Sequence, residues 1–471
     1  MSQAEPFRVV IVGGGLSGLT AAWALSRAAR QSPRPLAVTV LEGASRLGGN
    51  LITERIGELQ IDGGPDGWVA AKRDGETLCR ELGLGDALVE TQRENRKVYM
   101  VHRGALTPTP EGIVLGVPTR VGPVLRSPML SPLGKARMLL DRVLPRRVAA
   151  GDVSLGALVA DRLGSEVVEA FTSPLLAGVY AGDAWQLSAR STFPQLVKMA
   201  ATQPSLLLAA REAAPRRHPG APPPSAFVSL RGGTGSLIDA LAAQLAPGTV
   251  RRDTPVRAIT REGARYRVST HDGAIDADAV MLALPAHRSA RIVEDLDPAV
   301  ARALSAIGYG SAATVFFALP RAAVKHPMDA TGFVVPRREG FDILASTFVS
   351  AKWPHRAPRD TALIRVFVGG TAHAEHLGLS DAALTAMGWR ALKRLITVDA
   401  EPSFTKVYRF IDTSPQPTVG HRARVEQIAD ALAPHRGLYL LGSAYEGVGI
   451  PDVIGLARRS AARLIAEGAS R

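Results

Sequence analysis

The chain carries a single cysteine, Cys79, in 471 residues. One thiol forms neither an intrachain disulfide nor a cysteine-based metal cage. The sequence therefore predicts no structural disulfide, no metal centre and a reducing, cytoplasmic setting. Long apolar runs are lacking too. None reaches the roughly 18 residues a membrane span needs, so any membrane contact is expected to be peripheral. The first apolar run, residues 9–12, leads into glycines with no cleavage pattern, so no signal peptide is expected. There is no internal repeat. Acidic residues are in deficit, with 43 Asp+Glu against 56 Lys+Arg and a net charge of +13. That surplus fits a solvated basic surface, and it favours phosphates, carboxylated small molecules or anionic lipid as partners. Nucleic acid is not an expected partner, because no recognition motif or aromatic stacking signature accompanies the charge.

What is present is organised around nucleotide binding. Residues 8–12 read as a buried strand, 16–30 as a helix and 36–42 as a second buried strand. This βαβ unit implies a parallel sheet and an α/β (α+β) fold. Residues 75–210 read as largely helical, and the Pro-rich 215–224 as a loop. Short strands are expected at 227–230, within 249–284, at 314–319, 332–335, 363–368 and 437–441, with a closing helix at 454–466. Nucleotide-binding signals sit at both ends. The expected organisation is a discontinuous cofactor domain (1–90, 225–295 and 435–471), a mainly helical domain (91–214) that can face a membrane, and a substrate domain (296–434).

Gly13, Gly15 and Gly18 form G-x-G-x-x-G between the first strand and helix. Gly13 suits a tight turn, Gly15 the approach of a pyrophosphate, and Gly18 close packing of helix on strand. With Gly14, Leu16 and Ser17 they place free N–H groups and the helix dipole at the phosphates. Glu42, at the end of the second strand, suits the adenosine ribose hydroxyls. Arg46, Gly48, Gly49 and Asn50 suit a second backbone approach beside a bidentate cation. Asp62, Gly63, Gly64, Pro65, Asp66 and Gly67 form a turn able to bring backbone near a flavin ring. Ser443, Val448, Gly449 and Ile450 lead into the last helix, whose start suits the N1/O2 edge of a flavin. Together these favour FAD over NAD.

Glu42-x3-Arg46-Leu47-Gly48-Gly49 after G-x-G-x-x-G resembles the amine oxidase and phytoene desaturase superfamily of FAD enzymes. Four further segments resemble the oxygen-dependent protoporphyrinogen/coproporphyrinogen oxidases of haem synthesis. They are Asp62-Gly-Gly-Pro-Asp66, Leu175-Leu-Ala-Gly-Val-Tyr-Ala-Gly-Asp183, Ser191-Thr-Phe-Pro194 and Ala444-Tyr-Glu-Gly-Val-Gly-Ile-Pro-Asp452. Lys352-Trp-Pro-His355 and Gly134-Lys-Ala-Arg137 lean to the Gram-positive branch, associated with coproporphyrinogen III. The resemblance implies a Rossmann-type FAD domain of the p-cresol methylhydroxylase/amine oxidase type, a mixed-sheet substrate domain and a helical domain. It implies oxidation of a porphyrinogen to a porphyrin by hydride transfer to flavin N5 and reoxidation by O2. No catalytic acid or base is expected.

The resemblance also carries over site residues. Arg96 is implied to pair with a propionate; by itself it reads as a surface charge. The Gly178 carbonyl is implied to accept pyrrole N–H bonds, whereas its small size alone suits helix packing. Val334 reads as pocket lining or plain core. Lys352 and His355 read as ligands for further propionates or as a surface turn. Val256 and Phe410 join the cofactor contacts, Phe410 standing where some relatives have tryptophan. Thr331 stands where mitochondrial relatives pack an aromatic residue on the macrocycle. The basic run from Arg137 to Arg147 reads as a solvated face, or as a contact for anionic lipid or the next haem-pathway enzyme. The chain is expected as a monomer or homodimer. Another flavin amine oxidase or carotenoid desaturase is the alternative enzyme. A non-enzymatic binding protein on the same fold, like the GDP-dissociation inhibitors, is the alternative of a different class.

Overall fold

A computed structural model describes residues 5–30, 34–145, 151–213 and 225–468. The Pro-rich segment at 215–224 and Arg146 and Arg147 lie outside the described residues.

Five parallel strands form the first sheet, in the order Val250–Arg251, Leu36–Leu41, Phe7–Val12, Ala279–Leu282 and Leu438–Leu440. Val9, Val10, Ile11 and Val12 are all buried, so the central strand has no solvent face. Such a strand reads as an unbroken apolar run rather than an alternating one. The helix Leu16–Ala29 and the closing helix Ile450–Gly468 pack against each other on one side. Gly13 emerges at the carboxyl end of the central strand, the edge where open α/β sheets bind ligands.

The second large sheet has seven strands, in the order Phe404–Pro415, Tyr309–Pro320, Thr361–Gly369, Ala345–Phe348, Gly332–Val334, Val98–His102 and Ala105–Pro108. All pairs are antiparallel except Gly332–Val334 with Val98–His102, which is parallel. The last two strands correct the helical reading of residues 75–210 and of the start of the 91–214 unit. Arg103 and Gly104 join them with φ of 52° and 75°. Two positive φ values in a two-residue loop make the hairpin turn whose twist matches its strands. Arg-Gly is not the Asn-Gly pair that announces such a turn. Leu115 and Gly116 repeat the device, with φ of 52° and 76°, between Ile113–Val114 and Val117–Pro118.

The helices Leu155–Leu163, Ser173–Tyr180, Pro194–Thr202 and Leu206–Ala213 gather around Val159, Leu163, Phe171, Leu176 and Leu196. A buried ion pair, Arg162 with Asp141 at 2.8 Å, ties this unit together. Asp141 also accepts from Ser205 Oγ and the Leu207 N–H. The arginine run nearby is therefore not a uniformly solvated face. Arg137 donates to the carbonyls of Ala160, Asp161 and Arg162, closing the end of a helix. Leu133, Leu140 and Val143, 80%, 47% and 76% exposed, are apolar residues left on that surface. Among the described residues no helix is long and apolar enough to cross a membrane.

Removing one partner of the buried pair leaves an uncompensated charge, which costs about 3–5 kcal/mol. Arg162→Ala is expected to lower the melting temperature and to expose the 120–213 region to limited proteolysis first. An unchanged proteolytic pattern would contradict this reading of the pair.

Candidate active site

The glycines of the first loop separate by what surrounds them. Gly13 takes a φ of +108°, and a Cβ there would lie 2.6 Å from the Ala283 carbonyl oxygen. A Cβ on Gly18 would strike the Gly13 carbonyl. Both are glycines because the protein itself leaves no room. Gly15 differs: a Cβ there meets nothing nearer than Gly49 at 4.0 Å, and its backbone is extended. The free space belongs to something outside the chain. No side chain caps this helix, and no acid lies in its first turn. Ser17 Oγ is buried with no hydrogen-bond partner among the described residues. Open space, uncapped N–H groups and an orphaned hydroxyl at a helix start fit a pyrophosphate.

Glu42 accepts hydrogen bonds from the N–H groups of Gly14 (2.6 Å) and Ala44 (2.8 Å). Its remaining lone pairs fit a ribose diol. The Gly48 N–H donates to the Gly14 carbonyl at 2.9 Å, so the two glycine turns are knit together. Arg46 folds back onto the carbonyls of Leu47 and Leu51, and onto that of Gly49. In this structure it clasps its own turn. Val256 opens a strand whose approach is tied to Glu42: the Thr254 N–H donates to the Glu42 carbonyl at 2.8 Å.

The turn at residues 62–67 is wedged in place. A Cβ on Gly63 would lie 2.6 Å from the Tyr408 ring, and one on Gly67 would lie 2.6 Å from the Val228 carbonyl. Gly64 faces the Asn50 carbonyl and the Phe410 ring. Buried charges then fasten the turn. Asp62 pairs with Arg356, and both side chains are fully buried. Asp62 also accepts from Thr53 and from the Thr234 N–H. Arg356 donates to Ser229 Oγ at 2.8 Å, and Arg365 donates to the Gly64 carbonyl at 2.8 Å. Asp66 accepts from Lys352 Nζ at 2.9 and 3.1 Å and from Trp353 Nε1 at 2.9 Å. Burial alone raises the Asp66 carboxyl, but Lys352 and Arg365 beside it, with the hydrogen bonds from Lys352 and Trp353, hold it at about 2. Burial and the neighbouring Arg365 push Arg356 down to about 9.

Arg356, Arg365 and Trp353 were not among the residues read from the sequence. The available signal was an arginine inside the apolar run Leu363-Ile-Arg-Val-Phe-Val368, which needs a buried partner. Lys352, read as a propionate ligand or part of a surface turn, has its ammonium paired with Asp66 in this cluster. His355 lies exposed on the adjoining turn, with Arg231 as a charged neighbour. Cys79 is buried and its thiol is pushed to about 12 by burial and then by Glu76.

The other substrate candidates meet at one junction. Thr331 donates to the Lys97 carbonyl from its N–H (2.9 Å) and its Oγ1 (3.1 Å). That fixes the segment carrying Arg96 beside the strand Gly332–Val334. Arg96 reaches Glu90 at 3.3 Å, with its side chain 19% exposed. Half-buried Val334 packs against the helical core. The helix Ser173–Tyr180 contacts this strand, and it presents Gly178 at the surface. A Cβ on Gly178 would meet nothing within 4 Å, which excludes helix packing as the reason for a glycine there. Tyr180, on the same helix, lines a cavity of about 320 Å³ with Ser443 and Val448. Gly449 and Ile450 follow at the start of the last helix, where the Gly449 N–H donates to Asp452 and Lys72 pairs with that carboxylate at 2.6 Å.

Two predictions follow from these surroundings. Gly15→Ala is expected to leave the melting temperature of the cofactor-free protein unchanged while lowering flavin content at least tenfold. Gly18→Ala is expected to lower that melting temperature. Equal effects on both, read by melting and flavin absorbance, would remove the distinction. The second concerns acid. A carboxyl held below its ordinary value adds stability above that value, and loses it as pH falls through the folded one. Asp66 is shifted from 3.8 to about 2, which makes its contribution about 2 kcal/mol, lost between those limits. Asp66→Asn is expected to flatten the acid unfolding curve over that window; an unaltered curve would contradict it.

The comparisons agree with this geometry. The family described as Flavin containing amine oxidoreductase matches residues 16–465. A Coproporphyrinogen III oxidase of Bacillus subtilis (strain 168) is 34% identical over 451 residues, covering 95% of each chain. A Protoporphyrinogen oxidase of Bos taurus is 32% identical over 487 residues, covering 97% of this chain and 98% of its own. The crystal structure of a provisionally assigned protoporphyrinogen oxidase from Exiguobacterium sp. 255-15 has a TM-score of 0.88 at 34% identity, covering 98% of this chain and 99% of that one. A putrescine oxidase structure, at 20% identity and a TM-score of 0.69, shares the fold. The chain belongs to the flavin-containing amine oxidoreductases, and it is an oxidoreductase built to carry a flavin.

Proposed function

We propose that the protein oxidises coproporphyrinogen III to coproporphyrin III in haem biosynthesis, using FAD and O2. The observation that carries this reading is the near full-length similarity to the enzyme of that name from Bacillus subtilis. It is joined to a glycine, Gly178, whose open face no protein neighbour explains.

A porphyrinogen has saturated meso carbons, and losing six electrons in three steps makes it aromatic. The driving force lies in substrate and cofactor, so the protein mainly positions and polarises. When bound, FAD supplies a two-electron acceptor that O2 regenerates. Gly15, Ser17 and the uncapped helix start hold the pyrophosphate, and Glu42 holds the ribose. The 62–67 turn, Phe410 and the loop from Ser443 to Ile450 enclose the ring system. Arg96 pairs with a propionate, and the Gly178 carbonyl accepts a pyrrole N–H. Thr331 and Val334 shape the wall between them. Pyrrole protons pass to water. Residues 1–90, 225–295 and 435–471 serve the cofactor, and 296–434, extended by the strands at 98–108, serve the substrate. The exposed Leu133, Leu140 and Val143 beside Arg142 form the face for peripheral membrane contact, in a cytoplasmic protein.

The test is aerobic turnover of the purified protein with coproporphyrinogen III and protoporphyrinogen IX side by side. Porphyrin fluorescence is expected to grow faster with the former. Faster growth with the latter would move the substrate assignment to protoporphyrinogen, and a yellow protein inert to both would overturn the reading. Arg96→Ala is expected to raise KM at least tenfold with flavin absorbance intact; unchanged kinetics would remove Arg96 from the site.

A further inference from the structure

After the strand Thr361–Gly369 the chain reads His373-Ala-Glu375-His376 and enters the short 3₁₀ turn Ala374–Gly378. His373 precedes the turn and His376 lies within it; the His376 N–H donates to the His373 carbonyl at 3.2 Å, and their rings stack with centroids 4.9 Å apart and planes within 3°. Glu375 reaches both. Its Oε1 lies 3.7 Å from His373 Nδ1 and 3.6 Å from His376 Nε2, and the three donor atoms all lie within 4.8 Å of one another.

These separations are too long for good hydrogen bonds, which close to about 3.2 Å or less. They are close to the spacing of metal ligands. With bonds of about 2.1 Å, two donors on a tetrahedral ion stand about 3.4 Å apart. The turn is braced on both sides. The Thr371 N–H donates to the Ala181 carbonyl at 2.9 Å, and Arg409 donates to the carbonyls of Leu377 (2.8 Å) and Leu379 (2.7 Å). The histidines are 25% and 18% exposed and Glu375 is 69% exposed, so the donors face outward with room for water. Two imidazoles and a carboxylate suit Zn²⁺ and its neighbours better than Mg²⁺ or Ca²⁺.

We propose that His373, Glu375 and His376 form a site for a divalent first-row transition metal of the Zn²⁺ class, completed by water. His373 lines a cavity with Ala177, Gly182 and Val335. Through Thr371 the site bears on Ala181, the residue that ends the helix carrying Gly178. Bound metal therefore stiffens the support of that helix. The proposal does not depend on which porphyrinogen is oxidised.

The experiment is calorimetric titration of tag-free, flavin-loaded protein with Zn²⁺, paired with the visible absorbance of Co²⁺. One equivalent is expected to bind, with the intense bands of a tetrahedral cobalt site. The double variant His373→Ala/His376→Ala is expected to lose that equivalent while keeping the flavin spectrum. Glu375→Gln, at a position too exposed to disturb folding, is expected to weaken binding at least tenfold. Absence of Zn²⁺ binding by the parent protein would overturn the proposal. So would a full equivalent retained by the double variant, or unchanged affinity in Glu375→Gln should the double variant fail to fold.

Discussion

The buried charges around the 62–67 turn are the constraint on which the rest of the site depends. Asp62 and Asp66 belong to the cofactor side of the molecule; Lys352, Arg356 and Arg365 come from the far side of the chain. Ions removed from water must find partners, and a pair broken on one side is strongly destabilising. The cluster therefore fixes how the seven-stranded sheet sits on the nucleotide-binding sheet. It sets the turn against Tyr408 and Phe410, next to the glycine turn at 46–50. Segments nearly 300 residues apart in the sequence are fastened together here.

The nucleotide loop was legible because its chemistry is local. Gly13, Gly15, Gly18 and Glu42 follow from one βαβ unit: Gly13 and Gly18 are closed in by protein atoms, Gly15 is open, and Glu42 accepts from the Gly14 N–H. The parallel strands were legible as unbroken apolar runs. The hairpin at 98–108 was not, because Arg103-Gly104 and Leu115-Gly116 adopt a turn that their composition does not announce. The partners of Asp62 and Asp66 were not legible either, since nothing local links residue 62 to residue 356. Lys352 reads as a propionate ligand or a surface turn; its pairing with Asp66, 286 residues away, is not legible in the sequence. The cysteine content says nothing of the His-Ala-Glu-His turn, whose ring stacking depends on a backbone turn that its composition does not announce.

The glycines of the candidate site divide by what surrounds them. Gly13, Gly18, Gly63 and Gly67 are required by neighbouring protein atoms. Gly15 and Gly178 are not, and neither takes a positive φ. One stands at the start of the nucleotide helix, the other beside the strand that carries Val334. On the proposed reading, Gly15 faces the cofactor and Gly178 the substrate.

Anaerobic mixing of the flavin-loaded protein with coproporphyrinogen III tests that account most directly. The account predicts that the bound flavin bleaches within the time of a turnover and recovers its absorbance when air is admitted, with porphyrin formed in proportion. A flavin that stays oxidised in the presence of excess porphyrinogen would contradict it.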